Sequence, residues 1–267
     1  KAPSERDHFR EEPASWVAGV CDRGIRHSRN EDAMAISASA TPGERAVLVV
    51  LDGVSSSLDS DVASLAGARA AREALRTPLP QGMGTPESRL AAVTKVLTDT
   101  VTAANDAVIA ATAPESHNPA SATFVAAVLE AGLVTYANVG DSRAYWLPDD
   151  APGVQLSEDD SVAQQMIAAG FTREQAETSP QAHAITKWLG RDTAPRVGQL
   201  AVTGPGWLLV CSDGLWNYAS EPTAIQDQIR ASGTTEPAAL ALALVDFANA
   251  QGGIDNITVT LARVAGV

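Results

Sequence analysis

Residues 47–53 read VLVVLDG, an apolar run that ends in a carboxylate, Asp52, followed by Gly53. Five aliphatic residues bounded by a turn dipeptide predict an apolar strand. A carboxylate at the end of such a strand is costly to bury unless it is paired or binds a metal. The glycine lets the backbone bend, so its carbonyl can approach whatever the carboxylate binds. The run therefore predicts a strand and a candidate ligand together.

Carboxylates lie at the ends of three further apolar strands. They are Asp213, which follows residues 208–212, Glu31 and Asp32, which precede residues 33–37, and Asp255, which precedes the last strand. Any one of them could be a turn residue, because Asp-Gly is among the commonest turn dipeptides. Four strand ends with few basic residues beside them instead indicate hard oxygen ligands, which suit Mg²⁺ or Mn²⁺ better than zinc.

The composition is that of a globular protein, since 45% of the 267 residues are hydrophobic and 19% are charged. Lys and Arg number 19 and Asp and Glu 32, so the net charge is −13. This charge disfavours binding to nucleic acid or anionic lipid. No apolar run is long enough for a membrane span, and Cys21 and Cys211 are interpreted as reduced, buried residues. We therefore expect a cytoplasmic protein that is not inserted in a membrane.

The order of predicted elements favours antiparallel sheets covered by helices. Strands are predicted at 16–21, 33–37, 46–51, 123–129, 133–139, 142–147, 207–211 and 257–263, and helices at 59–76, 87–113, 161–169, 172–178, 223–230 and 237–250. This is not the strict alternation of a doubly wound α/β sheet. Residues 1–14 are expected to form a flexible N-terminal tail, and residues 15–267 one domain.

Five short segments stand out, in the order NED at 30–32, VLDG at 50–53, ANVGDSRAY at 137–145, SDGLW at 212–216 and DNIT at 255–258. Together they closely resemble the metal-dependent protein phosphatases of the protein phosphatase 2C type, in their bacterial form. The resemblance extends over nearly the whole chain. It implies an α+β fold, a four-layer α-β-β-α sandwich of two mainly antiparallel sheets flanked by helices.

The same resemblance implies an enzyme, a protein serine/threonine phosphatase that hydrolyses phosphoserine and phosphothreonine. It implies that a hydroxide bridging two metals attacks the phosphorus in line and that no phosphoenzyme forms. The implied partners are phosphorylated proteins, the substrates of Ser/Thr kinases. We expect the chain to act in signalling and as a monomer.

The resemblance also assigns the two tight metal sites, which would hold Mn²⁺ or Mg²⁺. Asp52 would bridge the two ions. The carbonyl of Gly53 would bind one ion, and Asp213 and Asp255 would bind the other. These are the residues on which the implied activity depends most.

Three further carboxylates match less central positions of the family. Glu31 and Asp32 match residues that hold metal-bound water or ligate directly. Asp159 matches the ligand of a third, weaker metal site that shares Asp213. The residues that follow Asp159, through residue 170 and on to residue 190, resemble the mobile flap of the family.

Two departures from the family pattern leave alternatives open. Residues 54–57 read VSSS, where the family has a small residue and a pair of glycines. The phosphate-binding arginine of the family falls on His27, so we assign that role to the neighbouring Arg26 and keep His27 as the alternative. Both departures keep open a pseudophosphatase that binds a phosphoprotein or a partner without turnover. The negative charge disfavours the third candidate, a two-metal nuclease.

Other polar residues are given structural interpretations. In the motif NVGDSR at 138–143, Asp141 and Arg143 are expected to fix a tight connection between strands. His8 and His117 have no partners at metal-ligand spacing and are interpreted as surface residues. His183, in the flap, is a candidate contact to substrate.

Overall fold

The computed structural model describes residues 4–191 and 193–266. Its strands are β1 (His8–Ala14), β2 (Val17–Asp22), β3 (Asp32–Ala38), β4 (Arg45–Asp52), β5 (Phe124–Glu130), β6 (Leu133–Val139), β7 (Arg143–Pro148), β8 (Val154–Gln155), β9 (Arg196–Ala201), β10 (Gly206–Cys211) and β11 (Ile257–Val264). Its helices are α1 (Ser60–Ala74), α2 (Pro86–Ala110), α3 (Val162–Ala168), α4 (Arg173–Glu177), α5 (Asp213–Trp216), α6 (Pro222–Ser232) and α7 (Pro237–Ala250).

Two antiparallel sheets pack face to face with helices outside each. One sheet has the order β1-β2-β11-β10-β7-β8 and the other β3-β4-β5-β6-β9. Helices α1 and α2 cover the outer face of the second sheet, and α5, α6 and α7 cover the first. The expected four-layer α+β sandwich is confirmed.

The apolar run in β4 is continuous because both of its faces are buried. Val47, Val49 and Leu51 face α1 and α2, whereas Leu48 and Val50 pack against the other sheet. A strand covered on both sides has no position that favours a polar residue until it leaves the core. Asp52 is that position.

The expected flexible tail over residues 1–14 is wrong for residues 8–14. These residues form β1, an edge strand that pairs antiparallel with β2 from His8 opposite Asp22 to Ala14 opposite Val17. Arg6, just before the strand, donates from its guanidinium to the main-chain carbonyls of Asp32 and Asp61. Residues 1–3 lie outside the described residues.

Besides β1, three labelled elements were not among the predicted ones. They are β8, β9 and the short helix α5. β9 completes the edge of its sheet by pairing with β6, although its residues are mostly half-exposed. Within the described ranges, no helix has the length and apolar character that crossing a bilayer requires.

Candidate active site

The ends of β3 and β4 bring two of the candidate carboxylates together. Asp32 and Asp52 are direct partners across the two strands. The amide of Gly53 donates to the carbonyl of Glu31 at 3.0 Å, and the amide of Asp52 donates to the Thr123 hydroxyl at 3.1 Å. These main-chain contacts fix where the first turn after β4 leaves the sheet.

Asp32 joins the two sheets through its carboxylate. Ser212 and Thr258, both from the other sheet's side, donate their hydroxyls to Asp32 Oδ2 at 2.6 Å each. The second oxygen, Oδ1, is buried and has no hydrogen-bond partner. Burial raises the pKa of Asp32 to about 6, although these two hydroxyls lower it. The free oxygen is therefore an acceptor held in place for a ligand.

Asp213 is placed beside this pair by the end of β10 and the start of α5. Its Oδ1 is also buried without a hydrogen-bond partner. Loss of hydration raises the pKa of Asp52 and of Asp213 well above the ordinary value, and the neighbouring carboxylates, Asp255 among them, raise both further. Carboxylates this close to one another repel, and either protons or a cation must offset their charge.

Asp141 also belongs to this group, although its sequence motif predicts only a structural role in a tight connection between strands. It lies in the turn between β6 and β7, is 4% exposed, and has its carbonyl bonded to the indole N–H of Trp216 at 2.9 Å. Burial raises the pKa of Asp141 to about 7, and the charges of Asp159 and Asp255 add to the shift. A signal was present in the sequence, because Asp141 follows an apolar strand as Asp213 does.

Asp255 precedes β11, and the side chain of His27 contacts it. His27 Nε2 lies 3.2 Å from Asp255 Oδ1, and His27 Nδ1 lies 3.9 Å from Glu31 Oε2. His27 therefore links two of the candidate carboxylates. Arg26 is exposed, and its amide donates to the carbonyl of Gly253 at 3.1 Å. The structure thus turns His27, and not Arg26, toward the carboxylate group.

Glu31 is held by donors on its own side of the site. Arg29 donates to Glu31 Oε1 at 2.6 Å and the Ser60 hydroxyl donates to the same oxygen at 2.6 Å. Burial raises the pKa of Glu31, but the hydrogen bonds from Ser55, Ser60 and Arg29 outweigh burial and lower it. Glu31 is therefore ionised and anchored at the edge of the group.

Asp159 lies apart from the free carboxylates. Arg143 donates to both of its oxygens, from Nε to Oδ1 at 2.9 Å and from Nη2 to Oδ2 at 2.7 Å. The guanidinium of Arg143 also stacks on the Trp216 ring, with its carbon 3.6 Å from the ring centre. A metal ion at Asp159 would have to compete with this ion pair.

The loop after Gly53 keeps an ordered path without the family's glycines. Val54 donates its amide to the carbonyl of Ser121 at 2.9 Å, and the hydroxyls of Ser57 and Ser121 lie 2.8 Å apart. In the described part of the chain only Asp59 and Ala131 combine a side chain with positive φ. Serines therefore occupy residues 55–57 without backbone strain.

The donor set of the group fits divalent cations. Every candidate ligand supplies oxygen, and two buried oxygens, Asp32 Oδ1 and Asp213 Oδ1, lack a hydrogen-bond partner. As the side chains stand, no three His, Cys, Asp or Glu side chains among residues 4–191 and 193–266 have the spacing of a formed metal site. The fit therefore rests on the chemistry of the donors and on the two free oxygens.

Comparison with known proteins gives the same fold and the same family. A family model described as Protein phosphatase 2C matches residues 24–247. The serine/threonine phosphatase stp of Listeria innocua is 32% identical over 247 residues, which cover 91% of this chain and 93% of that protein.

Two solved structures resemble this chain closely. The serine/threonine phosphatase Stp1 from Staphylococcus aureus superposes with a TM-score of 0.78 and 26% identity, over 94% of this chain and 95% of that one. The catalytic domain of the serine/threonine protein phosphatase PstP, solved in complex with 2 manganese ions, gives a TM-score of 0.73 and 27% identity, over 93% and 97%. The chain belongs to the protein phosphatase 2C family and is a metal-dependent protein phosphatase.

Proposed function

We propose that this protein hydrolyses phosphoserine and phosphothreonine residues of other proteins with Mn²⁺ or Mg²⁺ bound at the carboxylate group. The observation that carries the proposal is the pair of buried carboxylate oxygens, on Asp32 and Asp213, that have no hydrogen-bond partner. Buried polar atoms are normally satisfied, and the neighbour that lies against both Asp32 and Asp213 is a third carboxyl, Asp52. A cation would satisfy the three carboxylates together. Relatives named serine/threonine phosphatases support the substrate class.

Five positions are proposed to hold two ions. The ligands are the carboxylates of Asp52, Asp213, Asp255 and Asp32 and the main-chain carbonyl of Gly53. When bound, the ions would lower the pKa of water toward neutrality to supply the nucleophile and would offset the charge of the phosphate. Asp32 is kept in position by the hydroxyls of Ser212 and Thr258.

The remaining residues orient the substrate and the ligands. Arg26, exposed beside the group, is proposed to contact the phosphate, and His27 is the competing candidate because it already touches Asp255. Glu31, anchored by Arg29 and Ser60, is proposed to hold water in the outer coordination sphere. A covalent phosphoenzyme on a thiol is not expected, because Cys21 and Cys211 are fully buried.

A third, weaker ion at Asp159 is part of the proposal. The bidentate pair with Arg143 competes with a metal for both oxygens of Asp159. Because an ion there would compete with Arg143, this site should be weaker than the other two. Asp213 is the carboxylate that would be shared.

The wider assignments are also proposals. The catalytic domain would span residues 15–267 and include β1 as well, since β1 pairs with β2. The protein is proposed to act as a monomer. Two free, buried cysteines are typical of a reducing compartment and support a cytoplasmic location. Action in signalling, on the products of Ser/Thr kinases, is proposed from the serine/threonine phosphatases among the relatives.

A phosphate-release assay tests the proposal. The purified chain should release inorganic phosphate from a phosphothreonine peptide with Mn²⁺ or Mg²⁺ and lose this activity in a chelator, whereas a bis(p-nitrophenyl) phosphate diester should be a poor substrate. The matched control is Asp99→Asn, an exposed carboxylate on α2 paired with Lys95. Phosphopeptide binding without phosphate release would instead favour the pseudophosphatase, and faster diester cleavage would favour a nuclease.

A further inference from the structure

An open cavity of about 340 Å³ adjoins the carboxylate group on the side of β11 and α5. Asp213 and Asp255 form its inner wall, and His183 from the flap, Tyr218 and Ile254 line the rest. A phosphorylated side chain that reaches the carboxylates through this cavity would place its neighbours in or beside it. The cavity is continuous with the proposed metal site.

An exposed isoleucine, Ile254, lines the cavity, and a second, Ile25, stands on the neighbouring loop. The exposed fraction is 63% for Ile254 and 60% for Ile25, although the surrounding surface is rich in carboxylates. Both residues stand beside functional positions, because Ile254 precedes Asp255 and Ile25 precedes Arg26. A pair of exposed isoleucines at the mouth of a charged site is a feature that metal binding does not explain.

Hydrogen bonds fix the main chain of the two loops that carry the isoleucines. Ile25 donates its amide to the carbonyl of Gly253 at 2.8 Å, and Ile254 donates its amide to the hydroxyl of Tyr218 at 3.1 Å. Gly253 has φ +50, and a Cβ there would lie 2.9 Å from the Ile25 side chain. The close approach of the loops therefore requires glycine at residue 253, and both isoleucine side chains remain exposed.

We propose that Ile254 and Ile25 form a specificity subsite for an aliphatic or aromatic residue within two positions of the phosphorylated residue. The proposal rests on the proposed phosphatase function and names a substrate feature for it. Consecutive Cα atoms are about 3.8 Å apart, so a residue one or two positions away reaches these isoleucines once the phosphate is bound. Burying part of such a side chain against two isoleucines strengthens binding of the correct peptide.

The test compares two phosphopeptides that differ only beside the phosphoserine. One carries leucine at the two positions on each side, and the other carries alanine there. With Mn²⁺ present, we expect kcat/KM for the leucine peptide to exceed that for the alanine peptide by about 3- to 10-fold. The ratio is measured within each enzyme variant, so any general change in metal binding cancels.

Two variants and one control locate the effect. Ile254→Ser should bring the ratio of the two kcat/KM values, leucine peptide over alanine peptide, down to about 1 to 2. Ile25→Ser, on the other loop, should also lower this ratio, and it provides the test if Ile254→Ser folds poorly. Ile109→Ser changes an isoleucine that is 50% exposed on α2 and should keep the wild-type ratio.

The outcomes separate this inference from the proposed function. Equal kcat/KM values for the two peptides with the wild-type enzyme would overturn the subsite and leave the phosphatase intact. A preference for leucine that survives both isoleucine substitutions would also overturn it, because the apolar residue would then bind elsewhere. Hydrolysis of neither peptide would overturn the proposed function and this inference with it.

Discussion

Asp32 and Asp52 face each other across β3 and β4, so two carboxylates share one face at the end of the same strand pair. Like charges placed directly opposite in a sheet are destabilising. Only Asp32 receives hydroxyl hydrogen bonds from the neighbouring sheet. This arrangement is compatible with a stable fold when a cation or protons offset the charge, and the first two predictions follow from it.

Asp52→Ala should remove most of the activity and leave the fold intact. We expect kcat to fall roughly 10²- to 10³-fold, as when a main electrostatic contact to the reacting group is lost. The increase in Tm produced by Mn²⁺ should shrink, while the Tm in a chelator stays equal or rises because repulsion is relieved. Retention of more than a tenth of wild-type kcat would contradict a bridging role.

The stability of the metal-free protein should increase as the pH is lowered. The pKa values of Asp32 and Asp141, about 6 and about 7, lie above the unfolded value of about 3.9. Between about 3.9 and these values the folded state holds protons that the unfolded state has released, so the free energy of unfolding falls as pH rises from about 4 toward 7. Thermal melting in a chelator between pH 5.5 and pH 8 measures this trend.

The control for the pH series is Asp52→Asn, in which one of the repelling carboxylates is gone. Its Tm in a chelator should depend less steeply on pH than that of the wild type. Saturating Mn²⁺ should also flatten the wild-type curve, because ions and protons compete for the same oxygens. A metal-free wild type with the same pH dependence as the variant would argue against the coupled carboxylate group.

Arg26→Ala should lower kcat/KM for a phosphopeptide by about 10- to 150-fold. A guanidinium that binds the phosphate makes charge-assisted hydrogen bonds worth roughly 1.5–3 kcal/mol each, and 1.36 kcal/mol is about tenfold in rate. Metal affinity, measured by calorimetry, should not change. His27→Ala, tested in parallel, should weaken Mn²⁺ binding instead, because His27 touches Asp255 and Glu31.

A normal kcat/KM for Arg26→Ala beside a large loss for His27→Ala would reverse this assignment. Arg29→Ala is the matched arginine control. Its guanidinium is already engaged with Glu31 at 2.6 Å, so its effect on kcat/KM for substrate should be much smaller than that of Arg26→Ala.

Asp159→Ala should leave two tight Mn²⁺ sites and shift the Mn²⁺ dependence of the rate to higher concentration. The variant also removes the bidentate partner of the buried Arg143 and leaves Glu177, 3.6 Å away, as its nearest carboxylate. We therefore expect a loss of stability below the roughly 3–5 kcal/mol of a fully unpaired buried charge. Calorimetric titration counts the sites, and thermal melting reports the stability. The disappearance of a tight site would place Asp159 among the main ligands.

The elements with a local pattern of apolar residues could be predicted from the sequence. The strands that form only because they pair with a neighbouring strand could not. β4 could be predicted because its apolar run is buried on both faces. β1 could not, because its sequence HFREEPA is polar and half-exposed, and only the pairing with β2 makes it a strand. β9 was missed for the same reason.

In the candidate site too, the residues with a local pattern could be located from the sequence, and the contacts that depend on packing could not. Carboxylates at strand ends could be located because the ends of paired strands meet at one edge. Asp141 was missed because its motif had a sufficient structural explanation, the turn before β7. The contact between His27 and Asp255 depends on the packing of Gly24 and Gly253 between two distant loops, and no local pattern encodes that packing.

The N-terminal strand has a consequence for any shortened form of the protein. A chain beginning at residue 15 would lose β1 and with it the guanidinium of Arg6 that binds the carbonyls of Asp32 and Asp61. The whole length of β2 would then be an unpaired sheet edge, which is a template for association with other chains. Such a truncation should precipitate or form oligomers and respond poorly to Mn²⁺, so expression tags belong ahead of residue 4 rather than in place of the first strand.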